Sequence, residues 1–359
     1  MVSPVVRTRS RSIVTFERPD LSDDRIVAAI RQHFGLQTTL TFLPLGLDVL
    51  AWRYRAATAD AAYFLKLRRG VVNEAALRVP RYLADGGVTH VVAPLATRAG
   101  RLWGDVDGFT LTLYPFITGA TGMAHGLEER HWVAYGAALR EIHDTPLTPD
   151  LARTVTREAF TIAQLFRRLR QAQWADVVAA LEAHVASQTS PDDGDRELAA
   201  FWREKRGQIE GLVDRFEALG RQLRAARPSL VLCHSDVHPN NVVIDTEDHL
   251  WIVDWDDTLI APRECDLMMG VGGLGNYPAG PRETAWFLRG YGSTVIDPVA
   301  LAYYRHARAL GDIGTLIEQA VLLPGADEAT RHSIVTRLRK LFEPGYIVSL
   351  ADEVDRFAT

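Results

Sequence analysis

The chain has 359 residues, 47% of them hydrophobic and 24% charged, and carries a net charge of -5. That length accommodates two domains or one large two-lobed one, and the mild acidity argues against a surface built to neutralise nucleic-acid phosphates. Only Cys233 and Cys265 are present, which excludes a disulfide framework, and no run approaches the roughly 18 uncharged apolar residues of a membrane span. A cytoplasmic protein without membrane or nucleic-acid partners is expected.

Residues 1–20, basic through Arg7, Arg9 and Arg11, lack the apolar core of a signal peptide and read as a loosely ordered leader. A helix follows, capped by Ser22, with Ile26, Ile30 and Phe34 on one face and Gly35 closing it. "TLTFLPLG", "VLAWRYRA" and "AAYFLKLRR" have the short aromatic and aliphatic runs of strands, "NEAALRVPRYLADGG" that of a helix. "VVAPLAT" and "RLWGDVDGFTLTLYPFI" read as further strands. Residues 21–113 thus form a small, mostly antiparallel sheet with an inserted helix, and 114–118 a linker. Residues 119–359 form a larger, mainly α-helical lobe: a helix over "ERHWVAYGAALREIHDTP", a helical segment over 150–225, a strand-loop-strand from Leu230 to Val253, then helices. The fold class is α+β.

"LWIVDWDDTLI" sets Asp254, Asp256 and Thr258 at alternate positions after a buried strand, the D-x-D-x-T pattern of a haloacid-dehalogenase-like phosphohydrolase. That motif normally opens its domain, whereas here it comes late and leaves the preceding chain unexplained. The alternation of His234, Asp236 and His238 suggests a metallohydrolase centre, but the remaining histidines are scattered rather than at ligand spacing. "GVGGLG", Gly270–Gly275, matches a dinucleotide fingerprint in letters only, since no buried strand precedes it.

A third chemistry uses more of the pattern. "LVLCHSDVHPNNVVI" carries His-x-Asp and, five residues on, Asn241. Phosphoryl transfer from a nucleotide to a hydroxyl needs one carboxylate for the hydroxyl proton and oxygen ligands to hold Mg2+ against the phosphates. Asp236, Asn241 and Asp254 supply that set.

With "HSDVHPNN", "IVDWDD" and the helical "GAALREIH" (Gly136–His143), the chain resembles the aminoglycoside phosphotransferase family. The resemblance implies a bilobal protein-kinase-like fold. It also implies Asp236 as catalytic base, Asn241 and Asp254 as Mg2+ ligands, His234 as a brace of the loop and Asp266 as its buttress. The small lobe is then a nucleotide-binding lobe, with Lys66 directed at the phosphates and Glu74 fixing it. Backbone groups of Tyr114, Phe116 and Ile117 would face the adenine, and Gly46 would form the turn over the phosphates. ATP is the expected donor, with GTP left open. The linker "LYPFITGATG", the Trp of "IVDWDD" and the C-terminal helical tail resemble the spectinomycin phosphotransferase branch, which implies transfer to a hydroxyl of a cationic aminocyclitol and a role in antibiotic resistance. Small-metabolite kinases of the same fold, acting on choline, homoserine or a thio-sugar, are the alternative. A cationic substrate calls for further carboxylates, for which Asp257, Asp312 and Glu318 are candidates, and for rings such as Trp255 and Tyr277. Ordinary helix-surface acids are the plainer explanation of those three carboxylates.

Overall fold

The computed structural model describes residues 14–15, 18–46, 51–187, 192–275, 279–322 and 327–355. Its residues group into two compact units, Met1–Gly119 with Asp245–Trp251, and Ala120–Ile244 with Ile252–Thr359.

The first unit contains, in chain order, β1 (Val14–Thr15), α1 (Asp23–Phe34), β2 (Thr39–Leu43), β3 (Leu45–Gly46), β4 (Ala51–Ala57), β5 (Ala62–Arg69), α2 (Glu74–Asp85), β6 (Gly104–Val106) and β7 (Phe109–Pro115). Five of the strands form an antiparallel sheet in the order β2-β4-β5-β7-β6. The period-2 alternation of side chains turns Tyr54, Ala56, Leu65, Leu67, Leu111 and Leu113 to one face, where they pack with Ile26 and Ile30 of α1. Ser22 Oγ accepts from Arg25 N and Gly35 ends α1 at φ 76°, so both ends of the helix form as the sequence suggests. Asp107 and Gly108, both at positive φ, make the tight turn that joins β6 to β7.

Three expectations change here. Within the leader, Val14 and Thr15 pair with Gly46 and Leu45, while residues 1–13, 16 and 17 lie outside the described residues. Gly46 is therefore a strand residue and not itself the turn; residues 47–50 lie outside the described residues. "VVAPLAT" forms no strand beyond an isolated bridge at Val91. Pro94 has no N–H to give to a ladder, and the next donors go to single partners instead, Leu95 N to Leu113 O and Thr97 N to Arg101 O.

The second unit is helical with short strands. From Gly119 onward the chain forms β8 (Gly119–Thr121), α3 (Gly122–His125), α4 (Glu129–Asp144), α5 (Pro149–Thr154), β9 (Thr156–Arg157), α6 (Ile162–Arg168), α7 (Trp174–Ser187), α8 (Asp193–Ala226), β10 (Val231–Cys233), β11 (Val242–Asp245), β12 (Leu250–Ile252), β13 (Leu259–Ala261), α9 (Glu264–Gly270), α10 (Pro281–Tyr291), α11 (Pro298–Val321), α12 (Glu328–Leu341) and α13 (Ile347–Asp355), of which Gly119, Asp245, Leu250 and Trp251 belong to the first unit. The unforeseen β13 pairs antiparallel with β10 and parallel with β9. Much of α11 is buried, including Tyr303, Tyr304, Leu310, Ile313 and Ile317, and α8, α12 and α13 pack around it.

Helices α4 and α10 approach closely at two glycines. A Cβ on Gly136 would stand 2.0 Å from Phe287 O, and one on Gly290 1.9 Å from Val133 O. Because the clashing atoms are backbone, the helices themselves would have to separate. Gly136→Ala is expected to destabilise the chain by about 1–3 kcal/mol, the usual cost of overpacking. A urea midpoint equal to wild type would contradict that packing.

Candidate active site

The loop between β10 and β11 carries Asp236 and Asn241, and its shape is fixed mainly from beneath. Asp266 of α9 is fully buried and accepts three hydrogen bonds: from His234 N at 2.8 Å, from Ser235 N at 2.6 Å and from His143 Nε2 at 3.1 Å. The other ring nitrogen of His143 pairs with Tyr291 Oη at 2.8 Å, so helices α4, α9 and α10 meet under the loop. Tyr135 Oη donates to Val237 O from the same α4. A buried carboxylate with this many donors is a fixed point, because each donor left unmet would incur its full desolvation cost.

His234 ties the two motifs together. Its Nδ1 accepts from Asp236 N at 3.3 Å, which makes Nε2 the donor to Val253 O at 3.0 Å. Val253 N in turn donates to Asn241 O at 3.0 Å. The residue before Asp254 is thus bonded to both ends of the stretch that holds Asp236 and Asn241. Ser235 and Asp254 both adopt left-handed backbone, at φ 68° and 65°, a conformation uncommon outside glycine and frequent where a fold over-determines a functional side chain. Asp254 is exposed.

Within the loop, Asn241 Nδ2 donates to Asp236 O at 2.8 Å and approaches Asp236 Oδ2 at 3.3 Å. With the amide nitrogen spent inside the loop, Oδ1 is the atom of the Asn241 side chain with lone pairs to offer an ion. His238 Nε2 lies 3.5 Å from Asp236 Oδ2, and Arg308 Nη1 of α11 donates to Asp236 Oδ1 at 2.7 Å. Burial pushes the proton affinity of Asp236 up, but His238, Arg308 and His234 together outweigh it and hold the carboxyl below its usual range. It is ionised at neutral pH, as an acceptor of a hydroxyl proton must be.

The remaining candidates of this unit separate into different roles. Asp257 is half-buried; burial and the like charge of Asp236 raise its proton affinity against Arg168 and Arg170. Its carbonyl accepts from Ser235 Oγ, which also takes a hydrogen bond from Arg168. Asp312 lies 3.4 Å from Arg308 Nε. Glu318, expected as a substrate carboxylate, instead accepts from Ala172 N at 3.1 Å and pins the α6–α7 connection to α11. Trp255, expected as a stacking ring, is 3% exposed and packs against His234 with centroids 4.7 Å apart. The turn after Asp254 folds it inward. Tyr277 lies outside the described residues.

In the first unit Lys66 is half-buried near the middle of β5, opposite Arg53 and Thr112. It shares a face with Phe64 and Arg68, away from the core face of Leu65 and Leu67. Glu74 is the first residue of α2, 4.0 Å from Arg78. Tyr114 pairs with Phe64 across the sheet. Phe116 N is already donated to Ala62 O at 3.1 Å, which removes it as a donor to a nucleobase, while Ile117 follows the strand's end.

Sequence reasoning missed Arg308, Arg168, Tyr135 and the role of His143. Only His143 had a local signal, as the last residue of "GAALREIH"; the others reach the loop through tertiary packing alone.

The chain matches the model of the phosphotransferase enzyme family, APH, over residues 40–304. It belongs to that family. Two solved structures of spectinomycin phosphotransferase, APH(9)-Ia, are similar to this APH chain nearly end to end. The complex with ADP and spectinomycin has a TM-score of 0.81 and 27% identity, covering 94% of this chain and 100% of that one. The AMP-bound complex has a TM-score of 0.76 and 28% identity, covering 92% and 98%. An ethanolamine kinase of Plasmodium vivax, at TM-score 0.57 and 14% identity over 90% of this chain and 88% of that one, shares the fold alone. No curated protein sequence matches the chain. The protein is a phosphotransferase with the α+β, kinase-like fold of the APH family, an antiparallel N-terminal sheet followed by a helical C-terminal region. Among its described residues no helix is long and apolar enough to cross a membrane.

Proposed function

We propose that this APH chain transfers the γ-phosphate of ATP to a hydroxyl of a cationic aminocyclitol antibiotic, spectinomycin before others, with Asp236 as the base. The observation that carries the acceptor is the likeness to spectinomycin phosphotransferase over nearly the full length of both chains.

Asp236, ionised and 2.7 Å from Arg308, takes the hydroxyl proton as the new bond to phosphorus forms. Asn241 and Asp254 form the donor set for Mg2+: a neutral amide oxygen freed by the engagement of its own nitrogen, and an exposed carboxylate. Hard oxygen donors of this number suit Mg2+, which keeps several waters and shares phosphate oxygens; when bound it neutralises the charge on the transferring phosphate. Lys66 and Glu74 serve the phosphates, and the backbone around Tyr114 and Ile117 serves the adenine. His234 and Asp266 support the loop.

Asp254→Ala is expected to abolish Mg2+-dependent transfer, measured as nucleoside diphosphate release with acceptor across a Mg2+ titration. Turnover with ordinary metal dependence would contradict the ligand assignment. The acceptor is tested by incubating the protein with ATP, Mg2+ and a panel of spectinomycin, kanamycin-type and hygromycin-type compounds, choline and ethanolamine, read by mass for a phosphate gain. Gain on spectinomycin supports the proposal, whereas gain confined to choline or ethanolamine assigns a metabolite kinase.

A further inference from the structure

The two oxygens of Asp236 have different neighbours. Oδ2 is turned to its own loop, 3.3 Å from Asn241 Nδ2 and 3.5 Å from His238 Nε2. Oδ1 accepts from Arg308 Nη1 at 2.7 Å. Arg308 belongs to α11, and its Nε lies 3.4 Å from Oδ2 of Asp312, one helical turn further on. The guanidinium therefore stands between two carboxylates, with the shorter hydrogen bond on the base.

We propose that Arg308 is a positioning residue that caps Asp236, and that an acceptor hydroxyl uncaps it by displacing the guanidinium onto Asp312. The inference rests on the assignment of Asp236 as base. Oδ1 is the oxygen not engaged by the loop, hence the one suited to receive a proton, and the structure fills it with a charged donor. A charge-assisted hydrogen bond of this kind is about twice as strong as a neutral one, so a passing water competes for Oδ1 poorly. A positioned hydroxyl, held by the rest of its own molecule, competes well. Asp312 lies on the same helix as Arg308, so the guanidinium reaches it by side-chain torsions alone, without moving the backbone.

In the productive step the acceptor O–H proton passes to Asp236 Oδ1 and the acceptor oxygen bonds to the γ-phosphorus. The bond from that phosphorus to the β–γ bridging oxygen breaks, and its electrons leave with the nucleoside diphosphate. With water in place of the acceptor the same step wastes the nucleotide as inorganic phosphate. The cap thus couples nucleotide cleavage to acceptor occupancy.

The test compares acceptor-free ATP hydrolysis with transfer to spectinomycin, in Mg2+, for wild type, Arg308→Met, Asp312→Asn and Asp236→Asn. Arg308→Met, similar in length but without charge or donor, is expected to raise acceptor-free hydrolysis about tenfold, the factor that corresponds to one charge-assisted hydrogen bond. Asp312→Asn removes the resting place of the displaced guanidinium and is expected to raise the acceptor KM about tenfold. Hydrolysis in Arg308→Met that is unchanged, or that falls in parallel with transfer, overturns the cap. If that variant fails to fold, an unchanged acceptor KM in Asp312→Asn overturns it instead. Retained transfer in Asp236→Asn would remove the base assignment itself, a result separate from either.

Discussion

Asp236→Asn is expected to lower kcat by about 10²- to 10⁴-fold, the usual worth of a positioned general base, while the urea midpoint stays at the wild-type value. The two effects separate because the loop does not depend on the Asp236 carboxylate for its shape. Asn241 Nδ2 holds the carbonyl of residue 236 and His234 Nδ1 holds its N–H, both of which an asparagine keeps. Ser235 is fastened from below by Asp266 and from the side by Arg168. What the substitution removes is the ionised oxygen, and with it the proton acceptor. Steady-state rates with saturating acceptor, alongside a denaturation curve, measure both halves. A kcat within about threefold of wild type would remove Asp236 from the chemistry.

Asp266→Ala should have the opposite profile, a loss of stability first and of activity through it. The wild-type carboxylate satisfies two backbone N–H groups and the His143 ring in a site with no solvent access. Truncation leaves three donors unmet and a cavity beneath the loop. Removing one partner of a buried, hydrogen-bonded charge typically costs about 3–5 kcal/mol, a large part of a marginal folding free energy. Urea denaturation reads that loss directly. A decrease below about 1 kcal/mol with unchanged kcat would show that the loop keeps its geometry without the acid. Asp266→Asn retains one acceptor oxygen and is expected to fall between alanine and wild type.

The sequence carried the loop motifs well because their chemistry is local. His-x-Asp with Asn241 five residues on forms one short turn, and Asp254 is bonded back to it through the neighbouring Val253. The sheet of the first unit was also legible, since "VLAWRYRA" and "AAYFLKLRR" alternate as the pleat requires. "VVAPLAT" misled because it is equally apolar, yet Pro94 and single backbone contacts give it no ladder. The three-residue strand β13 is too short to carry a period. Trp255 was read as a ring for the substrate because the left-handed turn at Asp254, which folds it against His234, leaves no compositional trace. Arg308 was invisible for a different reason: α11 is far from the loop in sequence, and only packing brings its guanidinium to Asp236. Phe116 shows the same limit in the first unit, where its N–H belongs to Ala62 and not to a ligand.

The central claim is that one oxygen of Asp236 receives the proton of the hydroxyl that becomes phosphorylated. A crystal structure with Mg2+, a non-hydrolysable ATP analogue and spectinomycin tests it most directly. The account predicts a spectinomycin hydroxyl within about 3.2 Å of Asp236 Oδ1, with the Arg308 guanidinium moved onto Asp312. A hydroxyl beyond hydrogen-bond reach of Asp236, with another carboxylate nearest the γ-phosphate, would contradict it.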